Sequence, residues 1–455
     1  MPEVRSSLKR TLEPGNAEQQ SSWKFVLRGL GYRNYRLFFS GQSVSLVGTW
    51  MTRIATSWLV YRLTDSAFLL GIVGFAGQIP GFVLAPFAGV WVDRWDRHRT
   101  LVVTQILSML QSFALAALAL GGIITVGDII GLSLAQGLIN AFDMPARQAF
   151  VVQMVENRED LGNAIALNSS MVNAARLIGP SIAGVIIAAA GEGYCFLIDG
   201  ISYIAVIVSL LLMRITVRQA RPAERRALRH ELKEGWDYVA RFVPVRSLLL
   251  LLALVSLVGM PYTVLMPIFA GSILHGGAHT LGFLMGASGV GALAAALMLA
   301  ARKTVLGLGR VVPLAAAIFG AGLIAFGYSR ILALSLVLML VTGGAMMEQM
   351  AASNTILQTI VDEDKRGRVM SSYSMAFMGM APFGSLLAGS LAAHIGAPNT
   401  LAISGVLCVL GAAWFAIHLP ELRRHVRPVY VRLGIISEIA SGIQNASVLR
   451  MPPEE

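Results

Sequence analysis

Six charged side chains stand where so apolar a sequence has least reason to keep them. Arg53, Asp143, Arg147, Arg176, Asp199 and Glu348 each fall inside a long apolar run. A charge in hydrocarbon costs about 3 kcal/mol on insertion scales, so such residues turn toward a bundle interior or a watery cavity. Glu348, in the stretch GGAMMEQMAASN, has no basic residue within its own run. A lone carboxyl in a dry cavity suits proton carriage, which makes Glu348 the first candidate for proton coupling and Asp199 the second. Asp199 lies five or six residues into its run and could instead reach outer headgroups. Arg53 and Arg176 could bind an anionic substrate, or supply the counter-charge to Glu348. Asp143 and Arg147 are four residues apart and share a helical face, so they can neutralise each other in a structural or gating role. Gln42, Gln78, Gln136, Asn140, Asn168 and Asn173 could line a polar cavity or serve as hydrogen-bonding glue between helices.

The elements that must hold these residues are membrane helices. Of 455 residues, 55% are hydrophobic and 13% charged, against about 25% charged in soluble domains. Mean hydropathy is +0.67. Apolar runs near 37–62, 68–91, 100–122, 128–151, 163–190, 194–213, 247–272, 281–301, 311–328, 331–356, 368–394 and 399–419 are long enough to cross a bilayer as helices and too long for barrel strands. Twelve spans follow: an all-α membrane protein. A tail over 1–36 precedes a six-helix bundle at 37–213. A linker at 214–246 leads to a second bundle at 247–419 and a tail at 420–455. The linker piece ERRALRHELKEGWDYVARF has the pattern of an amphipathic surface helix.

Charge supplies the orientation. Of 36 Lys and Arg residues, 31 fall in the tails and the even-numbered loops, while the odd-numbered loops hold only Arg62 and Arg330. Positive charge marks the cytoplasmic side, so both termini are expected there and the protein is expected in the cell membrane. The net charge of +11 is then mostly an orientation signal facing anionic lipid, and nothing supports a nucleic-acid partner. Cys195 and Cys408 lie in apolar runs and imply neither a disulfide nor a metal site. His275 and His279 are four apart, but Gly276 and Gly277 between them argue against a helical metal site. The polar N-terminus has no signal-peptide h-region. No Walker A sequence or other enzyme constellation occurs, so no cofactor and no catalytic activity are expected.

The halves are related. GPSIAGVIIAAAG at 179–191 aligns with GSLLAGSLAAHIG at 384–396 at an offset of 205, which also pairs Gln153 with Gln358, Gly162 with Gly367 and Ser169 with Ser374. Duplicated six-span halves suggest a transporter with its site at their interface. The loop GVWVDRWDRHRT at 89–100 resembles motif A of the major facilitator superfamily, with Gly89, Asp93, Arg94, Arg97 and His98 on the motif positions and His98 in place of a usual basic residue. In that family such contacts close the inner side. The resemblance implies that Gly89 allows close helix contact, Asp93 sits near a helix N-terminus, and Arg94 and Arg97 pair across the seam. Gly179, Pro180 and Gly184 resemble a shortened form of the drug/proton antiporter motif, and could equally be a structural kink. NAFDMPARQAFVVQMV, LGNAIALNSSMVNAARLIGPSIAG and RGRVMSSYSMAFMGMAPFGSLLAG are similar to the branch holding the enterobactin exporter and the macrolide and multidrug efflux permeases, the transmembrane secretion effectors.

The expected protein is thus a secondary active exporter of a siderophore, antibiotic or drug-like molecule, working by alternating access and proton antiport as a monomer among membrane lipids. A nutrient importer, a lysolipid transporter and a membrane sensor without flux are the alternatives.

Overall fold

The computed structural model describes residues 28–155, 157–214, 237–302 and 304–436; within these, the side chains of residues 85, 86, 90, 93, 158 and 159 are not described. The described chain is helical, with no strand. The N-terminal half contains α1 Arg33–Thr64, α2 Ala67–Arg94, α3 Arg97–Leu120, α4 Val126–Met154, α5 Arg158–Ala190 and α6 Glu192–Leu211. The C-terminal half contains α7 Val243–Ile273, α8 Ala278–Ala300, α9 Leu308–Tyr328, α10 Leu332–Ile360, α11 Glu363–Ile395 and α12 Ala397–Arg432. Ten of these are long and apolar enough to cross a membrane by length and composition. The remaining two, α1 and α4, are 32 and 29 residues long and carry Gln42, Arg53, Gln136, Asn140, Asp143 and Arg147, the polar residues of a lining helix.

Local chemistry sets the turns. Ser66 caps α2 by accepting from the Leu69 N–H, and Asp96 caps α3 by accepting from the Arg99 N–H at 3.0 Å. Part of the charge in the 89–100 loop is therefore a helix cap. Thr125 and Asp128 form a reciprocal capping box on α4. In α7, π-turns at Val255–Gly259 and Phe269–Ile273 bracket the prolines 261 and 267. α11 is interrupted at Gly379–Met380 before Pro382.

Hydropathy under-reports helix ends that leave the apolar zone. α1 begins at Arg33, inside the expected tail, and α12 runs to Arg432 where the apolar run stops at 419. The amphipathic helix expected in the linker falls mostly on residues 215–236, outside the described residues; residues 237–241 are helical.

The duplication is visible in the packing. In the first half α1 packs on α5 and α6, α2 on α4, and α3 on α4 and α6. In the second half α7 packs on α11 and α12, α8 on α10, and α9 on α10 and α12, the same scheme. The offset of 205 carries α5 onto α11 end to end. Between halves, α5 packs on α8 and α2 on α11, each the image of the other under the duplication.

Both inter-half contacts are backbone against backbone. A Cβ on Gly184 would lie 2.9 Å from the Ala278 carbonyl oxygen and 3.1 Å from Gly282 Cα. One on Gly389 would lie 2.7 Å from both the Ala67 oxygen and Gly71 Cα. In lipid, where apolar burial drives no association, such small-residue approach supplies dispersion contact that larger residues would block. Gly184 and Gly389 lie near the C-terminal ends of α5 and α11, Gly71 and Gly282 near the N-terminal ends of α2 and α8, so all four belong to one end of the molecule. Tyr61 Oη and Ser272 Oγ, 2.6 Å apart, join α1 to α7 at that end. At the opposite end the first part of α11, Glu363–Met378, packs on α7 and α10 of its own half. Among the described residues, the contacts between the halves thus gather toward the end of the odd-numbered turns.

Candidate functional site

Two arginines and one indole cluster where α1 meets α5. Arg53 lies in the middle of α1, yet its side chain is exposed. Lipid does not account for this, because α1 is surrounded by α2, α4, α5 and α6 of its own half and by α7 and α8 of the other. The exposure is to the space between the halves. The Arg53 guanidinium lies 4.9 Å from the Trp50 ring centroid, and the Arg176 guanidinium reaches the same ring at 5.7 Å. Each contact is a cation–π pair. Gly179 makes it possible: a Cβ there would sit 2.5 Å from Trp50 Cβ, so only glycine lets α5 bring Arg176 onto the α1 indole. Neither arginine has a carboxylate partner among the described residues.

Asp143 and Arg147 form an ion pair along α4. The other Asp143 oxygen accepts from Thr104 Oγ1 and Gln105 Nε2 of α3, both at 2.8 Å. This buried carboxylate is fully served and ties α3 to α4. Asp199 is buried at 1% exposure between α1, α3 and α6 rather than reaching headgroups. Its Oδ2 accepts from Thr52 Oγ1 at 2.8 Å and Ser112 Oγ at 2.9 Å, while Oδ1 is buried without a partner. Glu348 is half-buried on α10, with Arg302 at the end of α8 as the nearby opposite charge. Sequence alone cannot foresee that long-range partner.

The remaining polar candidates divide. Gln78 donates to Ser385 Oγ at 3.4 Å across the halves. Gln136 donates to Ser108 Oγ and Asn140 Oδ1, both at 3.2 Å. Asn173 bonds its own helix at Ser169. Gln42 is buried, and Asn168 is half-buried with its Oδ1 unpartnered. Of the shortened antiporter motif, Gly179 faces α1, while Gly184 and the Pro180 carbonyl face Gly282 of α8. Of the motif A positions, a Cβ on Gly89 would meet nothing within 4 Å among the described residues, so the close contact expected there is not seen. His98 Nε2 contacts the Leu210 carbonyl at 2.8 Å, anchoring α3 to α6. Arg94 is exposed, Arg97 is half-buried, and the Asp93 side chain lies outside the described residues. His279 packs edge-on against Phe283, and no group of three metal-ligating residues occurs among the described residues. Cys195 and Cys408 are buried free thiols.

Trp50, the ring that Arg53 and Arg176 share, is passed over by sequence reasoning. Its signal was present, since it lies one helical turn before Arg53 on the same face; its second partner, from α5, has no sequence signature.

A family model described as transmembrane secretion effector matches residues 27–429. The chain is 27% identical to a staphyloferrin A transporter of Staphylococcus aureus over 84% of this chain and 95% of that protein. It is 28% identical to the multidrug efflux pump Tap of Mycolicibacterium fortuitum over 83% and 93%, and 24% identical to macrolide efflux protein A of Streptococcus pyogenes over 83% and 95%. Among solved structures, a bacterial homolog of the human lysosomal transporter Spinster, inward-facing and unoccupied, superposes with a TM-score of 0.68 at 14% identity, covering 87% of this chain and 98% of that one.

Proposed function

The chain belongs to the transmembrane secretion effector family of the major facilitator superfamily, and from that premise we propose that it exports a small organic anion by alternating access, driven by proton antiport and the membrane potential. The observation that carries this reading is the Arg53–Trp50–Arg176 cluster, two uncompensated guanidiniums on one indole in the space between the halves. Two like charges held together on one ring attract an anion and repel a cation. The indole between them offers a flat apolar face, so the preferred substrate joins a planar ring system to carboxylate, sulfonate or phosphonate groups.

Orientation follows from charge. The sequence puts 31 of the 36 Lys and Arg residues in the tails and even-numbered loops, so that side is read as cytoplasmic. On this reading the Gly184–Gly282 and Gly71–Gly389 contacts form the outer gate of an inward-facing state. An inside-negative potential favours outward movement of an anion by about 2.3 kcal/mol per charge per 100 mV, so export runs with the field. The efflux relatives, a multidrug pump and a macrolide efflux protein, agree with that direction. In the outward-facing state the 89–100 loop, through Asp93, Arg94 and Arg97, closes the inner side.

The test uses proteoliposomes and 1,5-naphthalenedisulfonate, a fluorescent aromatic dianion. Wild-type protein should move it down an imposed potential. Arg53→Gln and Arg176→Gln should each lower the rate by about 30-fold, the loss of a desolvated charge contact worth about 2 kcal/mol. Equal rates in wild type and both variants, or transport of tetraethylammonium in its place, would overturn the reading.

A further inference from the structure

Which side chain carries the coupling proton is a separate question, and its answer rests on the exporter reading above. The two fully buried aspartates of the N-terminal half differ in how their oxygens are served. Asp143 has donors on both oxygens and Arg147 as counter-ion. Asp199 has Thr52 and Ser112 on Oδ2 and no cation, and Oδ1 is left without a hydrogen bond because the adjacent Ser202 hydroxyl donates to the Asp199 backbone carbonyl at 2.7 Å. A carboxylate anion needs donors or positive charge on both oxygens when water is excluded. Asp143 meets that requirement and Asp199 does not. The neutral acid, with one accepting oxygen and one hydroxyl, suits the Asp199 site.

The surroundings support this on every side. α1 presents Gly48, Thr49 and Thr52, and α3 presents Gln111 and Ser112. On α6, Cys195 and Tyr203 flank Asp199 one turn to either side, and Ser202 stands beside it. None of these is basic. Glu192, two turns earlier, is taken by Arg62 in a bidentate pair at 2.8 and 3.0 Å. The Asp143–Arg147 pair lies beyond Tyr203. The packing also excludes a metal cation: a Cβ on Gly48 would already be 2.6 Å from Asp199 Oδ1 and 2.7 Å from Ser202 Oγ. α1 lies directly on the carboxyl, and a sodium ion with its five or six oxygens has no room there.

The same helix holds the substrate cluster. Trp50 and Arg53 meet Arg176 of α5, while Gly48 and Thr52, their neighbours in sequence, rest on Asp199 of α6. A movement of α1 large enough to close Trp50 and Arg53 on an anion also moves Thr52 and Gly48 relative to the carboxyl. We propose that Asp199 is the carrier of the coupling proton, sealed as the neutral acid in this inward-facing state, and that anion binding at Arg53–Trp50–Arg176 releases the proton by shifting α1. Binding of anion and of proton then oppose each other, as antiport requires.

The experiment separates this from the exporter reading. Exchange of 1,5-naphthalenedisulfonate across proteoliposomes without any gradient reports the substrate path alone; accumulation against its gradient under one pH unit reports coupling, with a limit of about tenfold for one proton per substrate. Asp199→Asn should keep exchange and lose pH-driven accumulation, while Glu348→Gln keeps both. In lightly buffered solution, probe binding should release roughly one proton per wild-type molecule and none from Asp199→Asn. Thr52→Val removes one of the two donors to Oδ2, so it should shift the pH profile of coupled transport; a merely structural Asp199 would leave that profile in place, which keeps the proposal testable if Asp199→Asn does not fold. Accumulation retained in Asp199→Asn, its loss in Glu348→Gln, an unmoved Thr52→Val profile, or wild-type accumulation driven by a sodium gradient at fixed pH would each overturn the assignment while the exporter reading stands. Absence of gradient-free exchange in wild type would overturn both.

Discussion

Replacing Gly389 with alanine places a methyl group at the α2–α11 seam, the outer gate of the proposed exporter. The new Cβ would lie 2.7 Å from Gly71 Cα and from the Ala67 carbonyl oxygen, where ordinary contact begins at 3.4 Å. The backbones of α2 and α11 must therefore part by about 0.7 Å, and no flexible side chain is there to yield. Overpacking of that kind costs about 1–3 kcal/mol. In alternating access the cost falls on the inward-facing state alone, since the outward-facing state separates this seam. The gain in helix propensity from glycine to alanine is common to both states and cancels. The ratio of outward to inward molecules should rise by about 5–150-fold. Spin labels at Ile123 and Ile331, exposed in the outer turns of opposite halves, report the change as growth of a longer-distance population. Gly162→Ala and Gly367→Ala are the controls: the offset of 205 relates them, and a Cβ at either meets nothing within 4 Å. A Gly389→Ala distance distribution identical to wild type, or the same shift in the controls, would refute the argument.

Three further outcomes follow from named contacts. Gly184→Ala, the symmetry image of Gly389→Ala, should shift the same population in the same direction, checked with the same labels. Arg147→Gln should lower stability by about 3–5 kcal/mol by leaving Asp143 buried without its cation, and adding Asp143→Asn should recover most of the loss, read as thermal midpoints in detergent. Tyr61→Phe removes the hydroxyl contact to Ser272 across the gate and should move the population outward by only about 1 kcal/mol, a smaller distance change than Gly389→Ala produces.

Helices that cross hydrocarbon were legible in the sequence because each must satisfy its backbone internally over a run of fixed length. The apolar runs accordingly fall within α1 to α12, allowing for a residue or two at several ends. Their polar extensions were not legible, since residues 420–432 of α12 are helical without being apolar. The repeat was readable because glycines at tight crossings tolerate no substitute, and Gly184 and Gly389 turn out to hold equivalent crossings. The site was half legible. Arg53 and Arg176 stood out as charges in apolar runs, but the indole joining them depends on how α5 lies against α1. The Asp199 environment was hidden for the same reason: Thr52, Ser112 and Asp199 come from three helices, with 147 residues separating the first from the last. Residues 89–100 looked like a single charged gate, yet Asp96 serves as a helix cap and His98 as an anchor to α6.

The central claim is that Arg53 and Arg176 together hold an organic anion against Trp50. Calorimetric titration of purified wild type and the Arg53→Gln/Arg176→Gln double variant with 1,5-naphthalenedisulfonate, at low and high salt, tests it most directly. Wild-type binding should weaken as salt rises and fall by about 100-fold or more in the double variant. Affinity that is equal in the two proteins, or indifferent to salt, would contradict it.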